Sequence, residues 1–180
     1  MRITGGELRG RHVKIPKGII RPAMDRMRES VFASLGDISG KSFLDIFTGS
    51  GIIALEAASR GAVYIEAVEA DLLKRPALLE NVKISPVRIN CHFVSAELYV
   101  KRAKRSFDYI FCDPPFPYKY KKELLKAIAE SNLMDSGSCL LLHRPREDLC
   151  DTPSARLFRK TCKEFGRSVV DFYEFFDSLN

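Results

Sequence analysis

The sequence predicts an α/β fold: a doubly wound, mostly parallel sheet of seven strands that ends in an antiparallel hairpin and follows a small N-terminal β-hairpin and helix extension. Three observations predict this fold. Between residues 42 and 143, short β-branched and aromatic runs alternate with helical segments, which is the pattern of βαβ units. A glycine loop joins the first run to the first helix. After residue 156, two apolar runs meet at Gly166 with no room for a helix between them.

Length and composition are those of one compact domain without a membrane span. The chain has 180 residues, of which 46% are hydrophobic, enough for a sizeable core. No stretch approaches the roughly 18 apolar residues of a membrane helix, and the N-terminus has no signal-peptide pattern. Five scattered cysteines lack C-x-x-C spacing, so neither a metal site nor a disulfide framework is expected. We therefore expect a cytoplasmic protein, a monomer with no metal and no membrane partner.

The N-terminal elements are predicted from turn residues and helical spacing. Residues 2–16 resemble a short hairpin, with Gly10 near its turn. In the segment that follows, Met27, Val31 and Leu35 recur at i, i+4 and i+8, which predicts a helix that ends at Gly36.

The central elements follow in regular alternation. Pro76 lies within the helix predicted at 71–84, so it must either kink that helix or mark its true start. Strands are predicted at 42–47, 63–68, 89–95, 107–112 and 138–143, helices at 52–61, 71–84, 96–103 and 121–131, and the final hairpin at 156–176.

Positive charge is concentrated at the N-terminus. Residues 1–30 contain eight Lys or Arg against three Asp or Glu, so this segment carries +5 of the net +6. Clustered positive charge favours a polyanionic partner such as a nucleic acid.

The first strand leads into a loop typical of nucleotide-like cofactors. Gly49, Gly51 and Ala54 have G-x-G-x-x-A spacing between a strand and a helix, and Glu69 ends the next strand, where an acid can bind both ribose hydroxyls. Dinucleotides and S-adenosylmethionine both use this arrangement. Asp45, just before the loop, favours the cationic S-adenosylmethionine, but the glycine loop alone does not decide.

A second loop follows the fourth strand and reads Asp-Pro-Pro-Phe. In a parallel sheet it lies at the carboxyl edge, beside the glycine loop. Two prolines stiffen the turn, which then presents the Asp113 carboxylate and the Pro114 carbonyl as acceptors for the hydrogens of an exocyclic base amine. Phe116 can stack on the base, worth roughly 1–3 kcal/mol.

Together these motifs resemble the class I, Rossmann-like methyltransferases that act on exocyclic amines, and more narrowly the RsmD family. The stretches "MRITGGELRGRHVKIPKG", "RPAMDRMRESVF", "LDIFTGSGIIALEAASRGA", "VEAD" and "DPPF" occur in that family's order and spacing. The resemblance covers residues 1 to about 125 well and the C-terminal hairpin in outline. It implies transfer of a methyl group from S-adenosyl-L-methionine to the N2 of a guanine in 16S ribosomal RNA, either free or in an assembling small subunit.

The resemblance also implies roles for particular residues. The catalytic loop is Asp113, Pro114, Pro115 and Phe116. The cofactor site comprises Asp45, Thr48, Gly49, Ser50, Gly51, Glu69, Ala70, Ser95 and Ala96. Residues 1–38 would contact RNA and residues 39–180 would form the methyltransferase domain. From their charge, the RNA contacts are expected to be Arg2, Arg9, Arg11, Lys14 and Arg21, beside the edge of the sheet that carries the active site.

The chain departs from the family pattern at several positions. Ala23 and Met24 replace the usual threonines, and Ser95 replaces an Asn or Asp at the end of the third strand. His143 and Arg144 occupy positions where acidic residues are common, and either an RNA contact or a structural role fits them.

Other functions remain open. An adenine-N6 or other exocyclic-amine methyltransferase shares the Asp-Pro-Pro-Phe loop, although 180 residues leave no room for the separate target-recognition domain of the DNA enzymes. A non-catalytic RNA-binding assembly module would not need the intact loop. A nicotinamide oxidoreductase would explain the glycine loop but not Asp-Pro-Pro-Phe.

Overall fold

The computed structural model describes residues 1–16, 25–148 and 154–177. Arg21, Ala23 and Met24 lie outside these ranges, so their predicted roles remain predictions. The helices are α1 (Asp25–Leu35), α2 (Ile52–Ser59), α3 (Arg75–Asn81), α4 (Ala96–Lys101) and α5 (Lys121–Glu130). The strands are β1 (Ser42–Ile46), β2 (Tyr64–Val68), β3 (Ile89–His92), β4 (Tyr109–Cys112), β5 (Cys139–Pro145), β6 (Leu157–Phe165) and β7 (Ser168–Phe175).

One seven-stranded sheet has the order β3-β2-β1-β4-β5-β7-β6. The first five strands in this order are parallel, and β7 joins β5 and β6 in antiparallel pairs. The predicted doubly wound sheet with a C-terminal antiparallel hairpin is confirmed. The switch in strand order falls between β1 and β4, and ligands bind at such switch points in open α/β sheets.

Alternation along the strands divides the core into two layers. Phe43, Ile65 and Phe111 face a cluster that includes α1 and α2, while Leu44 and Ile110 face a second cluster under α4 and α5. Successive strand side chains point to opposite faces, so strands buried on both sides read as continuous apolar runs. This explains why the central strands were recognisable from sequence.

The helix predicted over residues 71–84 is shorter in the structure than the apolar pattern indicates. It consists of α3 flanked by single turns of 3-10 helix, Leu72–Lys74 and Val82–Ile84. Pro76 lies in the first turn of α3, where its missing N–H costs nothing, so it marks a helix start.

The N-terminal hairpin is reduced to a single antiparallel bridge between Arg2 and His12. Backbone hydrogen bonds flank this bridge, from the Ile3 N–H to the Arg11 carbonyl and from the Val13 N–H to the Met1 carbonyl, each at 2.9 Å. The turn bonds to the end of α2: the Glu7 N–H donates to the Ser59 carbonyl at 2.8 Å and the Leu8 N–H to the Ser59 hydroxyl at 2.8 Å. Its apolar side chains, such as Val13, join the same core cluster as α1 and α2. The segment is therefore built onto the sheet's helical layer, and the predicted boundary at residue 38 remains a prediction.

A buried ion-pair network fixes this attachment. The Arg28 side chain is fully buried and donates from Nε to Glu56 Oε1 at 3.2 Å and from Nη2 to the Arg2 carbonyl at 2.6 Å. Glu56, also fully buried, accepts from the Thr4 N–H at 2.6 Å and pairs with Arg60 at 3.3 Å. The network joins the N-terminal segment, α1 and α2.

In the described ranges, no helix has the length and apolar character needed to cross a membrane. The four cysteines there, Cys91, Cys112, Cys139 and Cys162, carry free thiols.

Candidate active site

The glycine loop and the Asp-Pro-Pro-Phe loop meet at the switch point of the sheet. They follow β1 and β4, which are neighbours, and the Asp113 N–H donates to the Ile46 carbonyl at 3.2 Å. Both loops border one cavity of about 250 Å³. The predicted site residues that line it are Asp45, Thr48, Gly49, Ser50, Glu69, Asp113, Pro114, Pro115 and Phe116.

A larger groove of about 750 Å³ lies between α4 and α5. It is lined by Glu97, Glu123 and Tyr118 among others, and by neither the glycine loop nor Asp113. We assign the chemistry to the smaller cavity because only there do the two loops converge.

The turn into α2 requires an unusual backbone. Gly51 has φ +81°, and a Cβ there would lie 2.7 Å from Leu78 Cδ1, so a side chain would clash with α3. Phe47 has φ +65° without being glycine, and such strain concentrates at functional sites. Its ring meets Tyr118 at 5.4 Å between centroids, which links the glycine loop to the loop after β4.

Asp45 is buried beneath the glycine loop. Its carboxylate accepts hydrogen bonds from the Thr48 hydroxyl and, at 3.1 Å, from the Ala54 N–H. Burial raises the pKa of the Asp45 carboxyl from 3.8 to about 7; the negative charge of Asp113 adds to the rise, and the hydrogen bond from Thr48 opposes it. A cation placed in the cavity would favour the ionised carboxylate.

Glu69 is held in place by backbone donors at the end of β2. Oε2 accepts from the Gly49 N–H and Oε1 from the Asp71 N–H, each at 2.9 Å. A carboxylate has about four acceptor positions, and the two backbone donors take two of them, so hydroxyl donors would share the rest with the long contacts from Lys74. Lys74 Nζ lies 3.4 Å from both oxygens and partly balances the charge.

The Asp-Pro-Pro-Phe loop is braced from both sides. Lys121 Nζ donates to the Phe116 and Tyr118 carbonyls at 2.8 and 2.7 Å. The Asp113 side chain is about one-quarter exposed, and its Oδ1 lies 2.8 Å from His143 Nδ1. The loop thus presents a fixed carboxylate to the cavity.

Some predicted cofactor residues lie away from the cavity lining. Gly51, Ala70, Ser95 and Ala96 do not line it. The Ser95 hydroxyl caps α4 by accepting from the Leu98 N–H at 3.2 Å. Their roles remain predictions.

Seven residues without a predicted place in the cofactor or catalytic site also line the cavity: Met1, Phe47, Ile52, Ile53, Lys74, Pro117 and His143. The sequence offered a weak signal for Lys74, a cation five residues after Glu69, and for His143, at the end of a strand. Nothing in the sequence indicates Met1, because its position depends on how the N-terminal segment packs.

The predicted RNA contacts run along α2 rather than only beside the cavity. The Lys14 backbone pairs with the Asn81 side chain, which also donates to the Ser50 carbonyl at 2.9 Å, so Lys14 is close to the glycine loop. Arg9 belongs to the turn that contacts the opposite end of α2. This helix has eight residues and is therefore about 12 Å long. Both side chains are exposed, as are those of Arg2 and Arg11.

Arg144 has a structural position. It is buried and its Nε donates to Asp171 Oδ2 at 2.5 Å, which ties β5 to β7. Among the residues described, no group of three or more His, Cys, Asp or Glu is arranged to hold a metal ion.

The sheet order and the two converging loops define a Rossmann-like α/β protein of the methyltransferase class. Residues 1–174 match the family described as Conserved hypothetical protein 95, and the chain belongs to that family. It is 34% identical over 182 residues to the protein of Escherichia coli (strain K12) named Ribosomal RNA small subunit methyltransferase D, covering 97% of this chain and 89% of the relative. The resemblance to the RsmD family is thereby confirmed.

Solved structures of similar proteins have the same fold. The yhhF protein of Escherichia coli superposes with a TM-score of 0.87 at 27% identity and covers 97% of each chain. The protein TTHA0928 of Thermus thermophilus superposes with a TM-score of 0.81 at 28% identity, covering 97% of this chain and 99% of that one. These matches extend over the N-terminal segment as well as the sheet.

Proposed function

We propose that this protein transfers a methyl group from S-adenosyl-L-methionine to the exocyclic N2 of a guanine in 16S ribosomal RNA. The observation that carries the proposal is the single cavity shared by the glycine loop and the Asp-Pro-Pro-Phe loop. The family's named relatives support the substrate class.

The residues of the cavity suit this cofactor. Asp45, Glu69 and Asp113 make the lining acidic, with Lys74 as the cation beside Glu69. An acidic lining favours a cationic ligand over a pyrophosphate, which argues against a dinucleotide. Glu69 would accept the ribose hydroxyls, and Gly49 allows close approach of a ligand to the backbone. When bound, the cofactor supplies an electrophilic methyl group.

The chain's own residues would position the amine. The Asp113 carboxylate and the Pro114 carbonyl would accept the two N–H groups of the guanine amine, which orients the nitrogen lone pair. Phe116 would stack on the extruded base and offset the few kcal/mol of unstacking. Asp113 is also the nearest acceptor for the proton that the amine loses once it is methylated.

The N-terminal segment would bind RNA phosphates. Arg9 and Arg11 are exposed, and Met1 borders the cavity, so the segment reaches from the far end of α2 to the active site. We place this contact in residues 1–38 and the chemistry in residues 39–180, in a monomer acting on RNA in the cytoplasm.

The test is transfer of labelled methyl from S-adenosylmethionine to small-subunit RNA and particles isolated from cells lacking the protein, followed by nucleoside mass spectrometry. N2-methylguanosine is the expected product. The Asp113→Ala variant should bind cofactor and transfer nothing. N6-methyladenosine would identify an adenine enzyme, and cofactor binding without any transfer would favour the assembly-module alternative.

A further inference from the structure

His143 contacts both functional side chains of the Asp-Pro-Pro-Phe loop. Leu142 pairs with Cys112 across β5 and β4, so the residues that follow each of them, His143 and Asp113, lie side by side. His143 Nδ1 is 2.8 Å from Asp113 Oδ1, and its ring meets Phe116 edge-on at 5.9 Å between centroids. The side chain is about one-tenth exposed and lines the cavity.

The contact with Asp113 determines how the imidazole is protonated. An ionised carboxylate only accepts hydrogen bonds, so the nitrogen that faces it must carry a hydrogen. Nδ1–H therefore donates to Asp113. Nε2 is buried and has no hydrogen-bond partner among the described residues.

We propose that His143 is a positioning residue for methyl transfer: its Nδ1–H fixes Asp113 Oδ1, so that Oδ2 alone faces the amine. A free carboxylate can rotate about its terminal bond and present either oxygen. A hydrogen bond from a buried donor restricts this rotation, and its contact with Phe116 restricts the base-stacking ring at the same time. This inference rests on the proposed methyltransferase activity.

The proposal depends on one nitrogen, which allows a matched set of variants. In His143→Asn the side-chain amide can donate from about the position of Nδ1, whereas in His143→Gln the amide reaches the position of Nε2. His143→Leu removes the donor and keeps an apolar side chain of moderate size. If His143 only filled space, the His143→Asn and His143→Gln variants would have equal rates of methyl transfer.

The experiment measures single-turnover methyl transfer with saturating cofactor and RNA, together with the cofactor dissociation constant and the melting temperature. His143→Leu and His143→Gln should slow the chemical step about 10- to 100-fold, the cost of losing a hydrogen bond to a charged group. His143→Asn should recover most of the rate. Cofactor affinity should not change, because Asp113 and His143 act on the amine.

Three results would overturn the proposal: wild-type rates in His143→Leu, equal rates in the Asn and Gln variants, or losses that parallel lowered melting temperature and cofactor affinity. An inactive wild-type protein would instead contradict the proposed function. The two failures are therefore distinguishable.

Discussion

At the residue scale, the site depends on three carboxylates whose surroundings differ. Asp45 is buried under the glycine loop, Glu69 is held by two backbone N–H groups, and Asp113 is paired with His143. The types and positions of these acids were predictable from the sequence, since each lies at or just after the end of a recognisable strand. The pairing of these acids with Lys74 and His143 was not, because the position of a residue near a strand end does not fix which side chain it contacts.

We expect Asp45 to make cofactor binding depend on pH. Its pKa of about 7 means that the folded protein binds a proton there that an ordinary carboxyl releases near pH 4. This bound proton therefore contributes to the free energy of unfolding at low pH, and the contribution is lost as the pH rises through about 7. A cationic ligand favours the ionised form, so cofactor affinity should rise with pH up to about 7 and then level off.

Calorimetry in two buffers of different ionisation enthalpy should detect a proton released on cofactor binding below about pH 7. Asp45→Asn should abolish that release. Binding without proton release at pH 6 in the wild type would contradict the assigned pKa.

Glu69 should contribute to cofactor affinity through the acceptor positions that its two backbone donors leave. Glu69→Ala should weaken S-adenosylmethionine binding about tenfold or more, since hydrogen bonds to a charged group contribute about 1.5–3 kcal/mol each. Glu69→Gln, which keeps the size and one acceptor oxygen, should lose less. Unchanged affinity in Glu69→Ala by calorimetry would refute the ribose assignment.

At the element scale, adjacent parallel strands carry the two functional loops to one edge. The strands were predicted within a few residues because strands buried on both faces leave continuous apolar runs. The N-terminal hairpin was only partly predictable, because its turn bonds to Ser59 of α2 in addition to the bonds between its two arms. Likewise, the helix predicted after β2 begins only at Arg75, because Pro76 lies in its first turn.

The attachment of the N-terminal segment should depend on the buried Arg28–Glu56 pair. Glu56→Leu leaves Arg28 buried without this partner and should lower the free energy of unfolding by about 3–5 kcal/mol. The double variant Arg28→Met with Glu56→Leu removes both charges and should recover part of that loss. Urea unfolding measures the free energy of unfolding of both variants. We expect a single unfolding transition, because the N-terminal segment and the sheet share one core. Unchanged stability in Glu56→Leu, or a separate early transition in the wild type, would contradict this account.

At the scale of the whole molecule, charge separates a basic N-terminal segment from an acidic cavity. Residues 1–30 carry +5, while the cavity contains three carboxylates and one lysine. This division was predictable from composition. That Arg9 lies a helix length from the glycine loop was not, and it implies that RNA would follow α2 toward the cavity.

Removing Arg9 and Arg11 should therefore reduce the salt dependence of RNA binding. Each phosphate contact contributes about 0.7–0.9 to the slope of log affinity against log salt, so the double alanine variant should lower the slope by about 1.4–1.8. Lys101→Ala with Arg102→Ala, which removes the same charge at the exposed end of α4, serves as the control. A retained slope with a lowered melting temperature would mean that the segment only braces the core.

Methylation of a guanine amine in small-subunit RNA is the activity that we propose for this cavity. The most direct measurement is nucleoside mass mapping of that RNA from cells lacking the protein, complemented with either the wild type or Asp113→Ala. We predict one N2-methylguanosine that is lost on deletion, restored by the wild type and not restored by Asp113→Ala. A small-subunit RNA whose guanine methylation is unchanged by deletion, or is restored equally by Asp113→Ala, would contradict the account.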